Sequence, residues 1–363
     1  HRDLHSFPTR RSSDLCQTLF KKTEGGPAIR IPAIVVAPDG TVLAFADGCA
    51  LVRKSRDSGK TWSPIQETIP GVKPDGNVLV DETSGELVIL SPSGDAPCIY
   101  KSPDNGNSWK KESITIRPNA IGHGTAGHCP IGITAMEPGI TIKYGERQGR
   151  LLIAGRIQPP LNDNSQEHWM YNYNAAIYSD DHGKTWQISD AIMTGTGEAA
   201  LAELSNGSVY YNSRSHMSVD HKRRIAWSFD GGARYVDWSA SEELYEIGEP
   251  FYFKFGSKPS YGCKAGLVRV PGGIGSAGDV LLYSMPDWKG GWRFQMTVWA
   301  SFNGAATWPA KRLIDAGFSA YSSLAVDRNK TIYLLYEGGE NALYDETNVA
   351  VFNLAWLLSG ESY

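Results

Sequence analysis

Short apolar runs separated by polar, glycine-bearing turns repeat along this chain. Residues 29–36 and 41–46 are apolar except for Arg30 and Thr41, and a Pro38-Asp39-Gly40 turn joins them. Residues 175–178, 209–212, 279–284, 296–300 and 331–336 read the same way, as strands bounded by turns. The pattern predicts an all-β chain of hairpins.

Five of the turns share one sequence, S-x-D-x-G-x-T-W. Full copies begin at Ser55 and Ser179, the copy at Ser102 differs only in Ser108 for the Thr, and worn copies run from Ser228 to Tyr235 and from Ser301 to Trp308. In a tight hairpin the Asp carboxylate accepts backbone N–H bonds, and the Gly takes a positive φ where a Cβ would clash. The Trp lays a large ring against the next strand. The separations of 47, 77, 49 and 73 residues suit four-stranded propeller blades, with insertions or motif-free blades in the wider gaps. At about 60 residues per blade the length predicts a six-bladed β-propeller.

Composition narrows the partners. With 41% hydrophobic residues the chain can bury a sizeable core, and 39 Gly with 20 Pro fits many turns. A net charge of −4 gives no reason to expect nucleic acid or an anionic membrane surface. No apolar run approaches the roughly 20 residues of a membrane span. Cys16, Cys49, Cys98, Cys129 and Cys263 lack C-x-x-C spacing, which speaks against zinc and against a dense disulfide framework but leaves room for one long-range bridge. Residues 1–15 are polar, Arg- and Ser-rich and without an apolar core, unlike a secretory signal. They read as a non-native leader before one propeller domain over 16–363. Any export signal would be lost with it, so the expected location is secreted or periplasmic.

The candidate chemistry lies in charged residues placed among apolar strands. Arg30 must meet either a structural carboxylate or an anionic ligand, since an unpaired buried guanidinium is costly. Glu198 begins one strand and Arg214 ends its hairpin partner, so the two meet on one side; Glu203 would fall beside the turn at the far end. Arg293 precedes the strand leading to the last S-x-D-x-G turn. His123 and His128, in a Gly-rich loop, lack a third ligand and do not make a metal site. Trp169, Tyr171 and Tyr173 could stack on sugar rings or pack between blades.

The repeated turn is the Asp-box and resembles that of the sialidases. The resemblance extends to Arg30-Ile31-Pro32, to Glu198 with Arg214 sixteen positions on, to Arg293, and to Ala320-Tyr321-Ser322, spanning Arg30 to about residue 357. The family pattern reads Ala-Tyr-Ser-Asp-Leu there, so Ser323 stands where an Asp is usual. It implies an exo-acting, retaining glycoside hydrolase that releases terminal sialic acid, or a related 2-keto sugar acid, from sialylated or similar acidic glycans. Arg30, Arg214 and Arg293 would bind the sugar carboxylate, Tyr321 would be the nucleophile and Glu198 its base, with no metal or organic cofactor. A carboxylate nucleophile would be repelled by the sugar's own carboxylate; a phenol avoids that. The loop that carries the family's acid/base Asp is missing between Ala46 and Leu51. Asp47, which matches the acidic position supporting the first arginine, could take over as acid, or Asp75 could reach in from the next blade. If neither does, the alternative is a sugar-acid-binding propeller that no longer turns over.

Overall fold

The computed structural model describes residues 15–359 apart from 93–95, 126–127, 160–170, 218–219, 248–250, 253–258, 261, 275–276 and 289–291. The reading of residues 1–15 as a leader therefore falls outside the described residues except at Leu15, as does Trp169.

Antiparallel meanders follow one another along the chain. The first comprises Ala33–Val36, Val42–Ala46, Leu51–Ser55 and Gln66–Glu67. The second comprises Asn77–Asp81, Glu86–Ser91, Cys98–Ser102 and Lys110–Ser113. A third is built on Leu151–Ile157, Tyr173–Ser179 and Thr185–Ile188, with Thr115–Arg117 running parallel to the last of these. The fourth comprises Thr196–Glu203, Val209–Ser215, Lys222–Ser228 and Val236–Tyr245. A seven-stranded sheet then runs from Gly266–Val270 to Glu346–Asn353, with Cys16–Lys21 added beside the final strand. Its long strand Ala310–Val326 pairs with Phe294–Ser301 through its first half and with Thr331–Gly339 through its second.

The inner strands are covered on both faces by neighbouring sheets and are apolar at most positions, whereas outer strands such as Gln66–Glu67 and Lys110–Ser113 are polar and mostly exposed. Leu43, Phe45 and Val52 of the first sheet pack with Val78, Leu87 and Ile89 of the second. Leu79 and Val88 continue into the third sheet's Ile153 and Ile177, which lead on to Leu201 and Tyr211 of the fourth. Tyr210 of the fourth meets Leu281 and Tyr283. Tyr333, Leu335 and Val349 return to Ile34 and Ala44 of the first. This circular succession is a β-propeller-like arrangement.

Each of the five repeated turns joins two neighbouring antiparallel strands. In the copy at Ser179, Asp181 Oδ1 accepts from Thr185 N at 2.8 Å and Ser179 Oγ accepts from Gly183 N at 2.9 Å. Trp186, fully buried, donates its indole N–H to Gly183 O at 2.9 Å. The copy at Ser301 shows what wear tolerates. Asn303 replaces the Asp and still accepts from Thr307 N, while Ala305 sits at φ 69° where the others have Gly. All five cysteines are free thiols, so the one long-range disulfide that the sequence left open is not formed. No helix of the described residues is long and apolar enough to cross a membrane.

Candidate active site

Tyr321, buried on the long strand Ala310–Val326, is the residue around which the other candidates gather. Its hydroxyl donates to Glu198 Oε1 at 2.6 Å. Glu198 is brought there by the fourth sheet, whose first two strands pair Ala199 with Ser213 after a register shift at Thr196. That hairpin sets Arg214 opposite Glu198. Arg214 Nη1 donates both to Glu198 Oε2 and to Tyr321 Oη, each at 3.1 Å. Phenol, carboxylate and guanidinium form one closed triangle.

The other two arginines flank the same ring. Arg30 Cζ lies 5.0 Å and Arg293 Cζ 5.4 Å from the Tyr321 ring centroid. Arg293 donates to Gly262 O at 3.1 Å and to Tyr344 Oη at 2.8 Å. Arg30 stacks over the Tyr344 ring at 4.1 Å and grips Glu337 with a fork, Nε to Oε1 and Nη2 to Oε2, both at 3.1 Å. A planar fork-to-carboxylate pair fixes direction as well as charge.

Glu337 adds a partner that Asp47 does not provide. Asp47, expected to support Arg30, accepts from its backbone N at 2.8 Å, while the carboxylate on the guanidinium is Glu337. The reason is reach: Asp47 stands on the tight turn joining Val42–Ala46 to Leu51–Ser55, with φ 51° there, 63° at Gly48 and 66° at Cys49. Glu337, by contrast, is carried to the same spot on a buried strand. Glu337 also accepts from Ile31 N at 2.9 Å, where Ile31 holds φ 60°. A β-branched residue in that region is strained by about 1–3 kcal/mol, and the carboxylate is what holds it.

Asp75 is the neighbour of this turn. Both Asp47 and Asp75 are exposed, Gly76 N donates to Gly48 O at 3.1 Å, and Asp75 Oδ1 accepts from Thr134 Oγ1 at 3.0 Å. The two carboxylates share the rim beside Arg30, outside the buried Tyr321–Glu198–Arg214 triangle. Glu203 lies at the far end of its hairpin, accepting from the amides of Lys143 and Tyr144. His123 Nδ1 lies 3.0 Å from Tyr173 Oη, away from these groups. Among the described residues no group of three or more His, Cys, Asp or Glu is placed to hold a metal ion.

The electrostatics assign a protonation state. Burial alone would raise the Glu198 carboxyl, but Arg214, then His216 and Arg156, hold it well below the usual range. Burial and the charge of Glu198 push the Tyr321 phenol up, with Arg214 and Arg293 pulling back. The resting pair is therefore a neutral phenol hydrogen-bonded to a carboxylate that can accept its proton. Glu337 and Tyr344 escaped the sequence reading. Glu337 carried the signal that marked Arg30, a charge closing the apolar run 331–336; Tyr344 carried none.

Comparison with known proteins comes to the same place. The BNR repeat-like domain family matches residues 76–334. A sialidase of Micromonospora viridifaciens is 30% identical over 92% of this chain and 53% of its own length. A sialidase of Bacteroides fragilis is 25% identical over 86% of this chain and 60% of its own. The chain thus spans somewhat over half the length of these relatives. Among solved structures, a Hadza microbial sialidase superimposes with TM-score 0.67 at 23% identity, covering 91% of this chain and 66% of that one. The intramolecular trans-sialidase of Ruminococcus gnavus gives 0.67 at 14% identity, covering 92% and 96%. At those identities the structural likeness speaks for the fold.

Proposed function

Because this chain belongs to the sialidase family of BNR-repeat proteins, we propose that it is an exo-acting retaining glycoside hydrolase. Its substrate is a glycan ending in sialic acid or a related 2-keto sugar acid. The single observation carrying the reading is the triangle of Tyr321, Glu198 and Arg214, with hydrogen bonds of 2.6, 3.1 and 3.1 Å. The sugar carboxylate lies against Arg30, Arg214 and Arg293, which brings the anomeric carbon over Tyr321. As Tyr321 Oη bonds to that carbon, its proton passes to Glu198, and the aglycone oxygen leaves with a proton from a general acid. Water then attacks the tyrosyl-glycoside, returning the phenol. Asp47 is the proposed acid and Asp75 the second candidate.

The blade count belongs to the same reading. A cavity of about 200 Å³ is lined by Val35, Val80, Gly139, Ala202, Val268 and Ala325, one residue from each of six successive chain segments. We take the seven-stranded sheet as two blades joined through Ala310–Val326, making six around this channel.

The test is incubation with a fluorogenic aryl sialoside and, separately, with aryl glycosides of deaminated and eight-carbon keto acids. Release of fluorophore supports the hydrolase; binding of the free sugar acid without release would favour the binding propeller instead. Arg293→Ala should cost kcat/KM the equivalent of about 3–5 kcal/mol, as when one partner of a buried charge pair is lost. Unchanged kinetics would remove Arg293 from the site. Because Glu198 is held ionised below its ordinary range, kcat/KM on the aryl substrate should stay level as pH falls through about 4.3, the ordinary glutamate value. A decline centred there would show that the base is not held low.

A further inference from the structure

Glu137 lies in the irregular segment between the strands Ile131–Gly132 and Ile140–Thr141 and is 3% exposed. Its Oε1 accepts from Ser323 Oγ at 3.0 Å and from Leu324 N at 2.7 Å. Its Oε2 is 3.2 Å from Lys264 Nζ, which is fully buried and donates to Pro32 O at 2.6 Å. Its backbone N donates to Ala199 O at 3.0 Å. These contacts reach the three segments of the proposed site. Ser323 is two residues past Tyr321, Pro32 is two past Arg30, and Ala199 follows Glu198. Ser323 Oγ also accepts from Ile34 N at 3.1 Å, tying the Arg30 segment to the Tyr321 strand a second time.

Lys264 needs a counter-charge, because an unpaired buried ammonium is costly. Among the described residues Glu137 is the carboxylate that meets it. Ser323 is the uncharged hydroxyl facing Glu137. An Asp there would set two carboxylates against one lysine, which like-charge repulsion disfavours.

We infer that Glu137 is a positioning residue which supplies the one negative charge this buried spot takes, facing Ser323, and that its bridge to Lys264 fixes Tyr321 relative to Arg30. The reading of Tyr321 as nucleophile underlies the positioning part of this inference. The pairing of Glu137 with Lys264 and Ser323 stands on the contacts alone.

The test is a charge swap of Glu137→Gln, Ser323→Asp and the double variant, assayed on the aryl sialoside and by thermal melting. Glu137→Gln should lower kcat on the order of 10²-fold, since misplacing reacting groups by about 1 Å is that costly. Ser323→Asp should lower both kcat and Tm in the wild-type background and raise both in the Glu137→Gln background. Should Glu137→Gln fail to fold, recovery of a folded, active double variant supports the swap. A Ser323→Asp effect of the same sign in both backgrounds overturns it. A wild-type kcat in folded Glu137→Gln overturns the positioning role. If the wild type cleaves no sialoside the proposed function falls, while the sign of the two Tm changes still decides whether this spot takes a single negative charge.

Discussion

Tyr321→Phe is expected to lower kcat/KM on an aryl sialoside by about 10²-fold or more, the order lost when one member of a catalytic unit is removed. Only the oxygen 2.6 Å from Glu198 is taken away. Glu198 and Arg214 keep their own 3.1 Å contact, so the pocket retains its pairing and the variant should still bind the sugar acid. A fluorinated sugar-acid inactivator should leave an adduct on the Tyr321 peptide of the wild type and none on the variant. Mass spectrometry that finds the wild-type label on another residue would overturn the assignment of the nucleophile.

The second large effect separates substrates by leaving group. A phenol departs without help, whereas a sugar hydroxyl needs a general acid worth about 10²–10⁴-fold. Asp47→Asn should therefore lose that factor on a natural sialoside while keeping most activity on the aryl substrate. Asparagine suits the test because its carbonyl can still accept the Arg30 amide, as Asp47 Oδ1 does at 2.8 Å. If both substrates suffer alike, Asp47 acts only through the placement of Arg30. A selective loss in Asp75→Asn instead assigns the acid to the second sheet, beside Thr134. A native protein that cleaves aryl glycosides but no natural oligosaccharide would have no acid, and both assignments would fall.

What the sequence disclosed depended on how local the cause was. The Asp-box turns could be read because the motif's own bonds, those of its Ser, Asp and Trp, close within a few residues, as from Asp181 to Thr185. Arg30, Arg214, Arg293 and Glu198 could be singled out because a charge inside an apolar strand is an anomaly wherever the strand ends up. What could not be read was pairing across the ring. Glu337 meets Arg30 although 307 positions separate them, and Glu137 meets Ser323 across 186. Neither partner can be chosen before it is known which strands become neighbours. The same limit explains Asp47: the family pattern suggested that it supports Arg30 but not through which atoms, and a turn with three successive positive φ values put its oxygen on the backbone amide.

The pairing of Cys16 with Ala350, and of the strands around them, bears on how the molecule comes apart. In an open array of repeats the outermost units have one neighbour each, melt first, and unfolding spreads inward from the ends. Here the first and last described strands share a sheet, so the ring has no outermost unit and opening it at any seam exposes two faces at once. Unfolding should accordingly be a single concerted transition, and weakening the strand Cys16–Lys21 should lower the midpoint for the whole ring instead of loosening one edge.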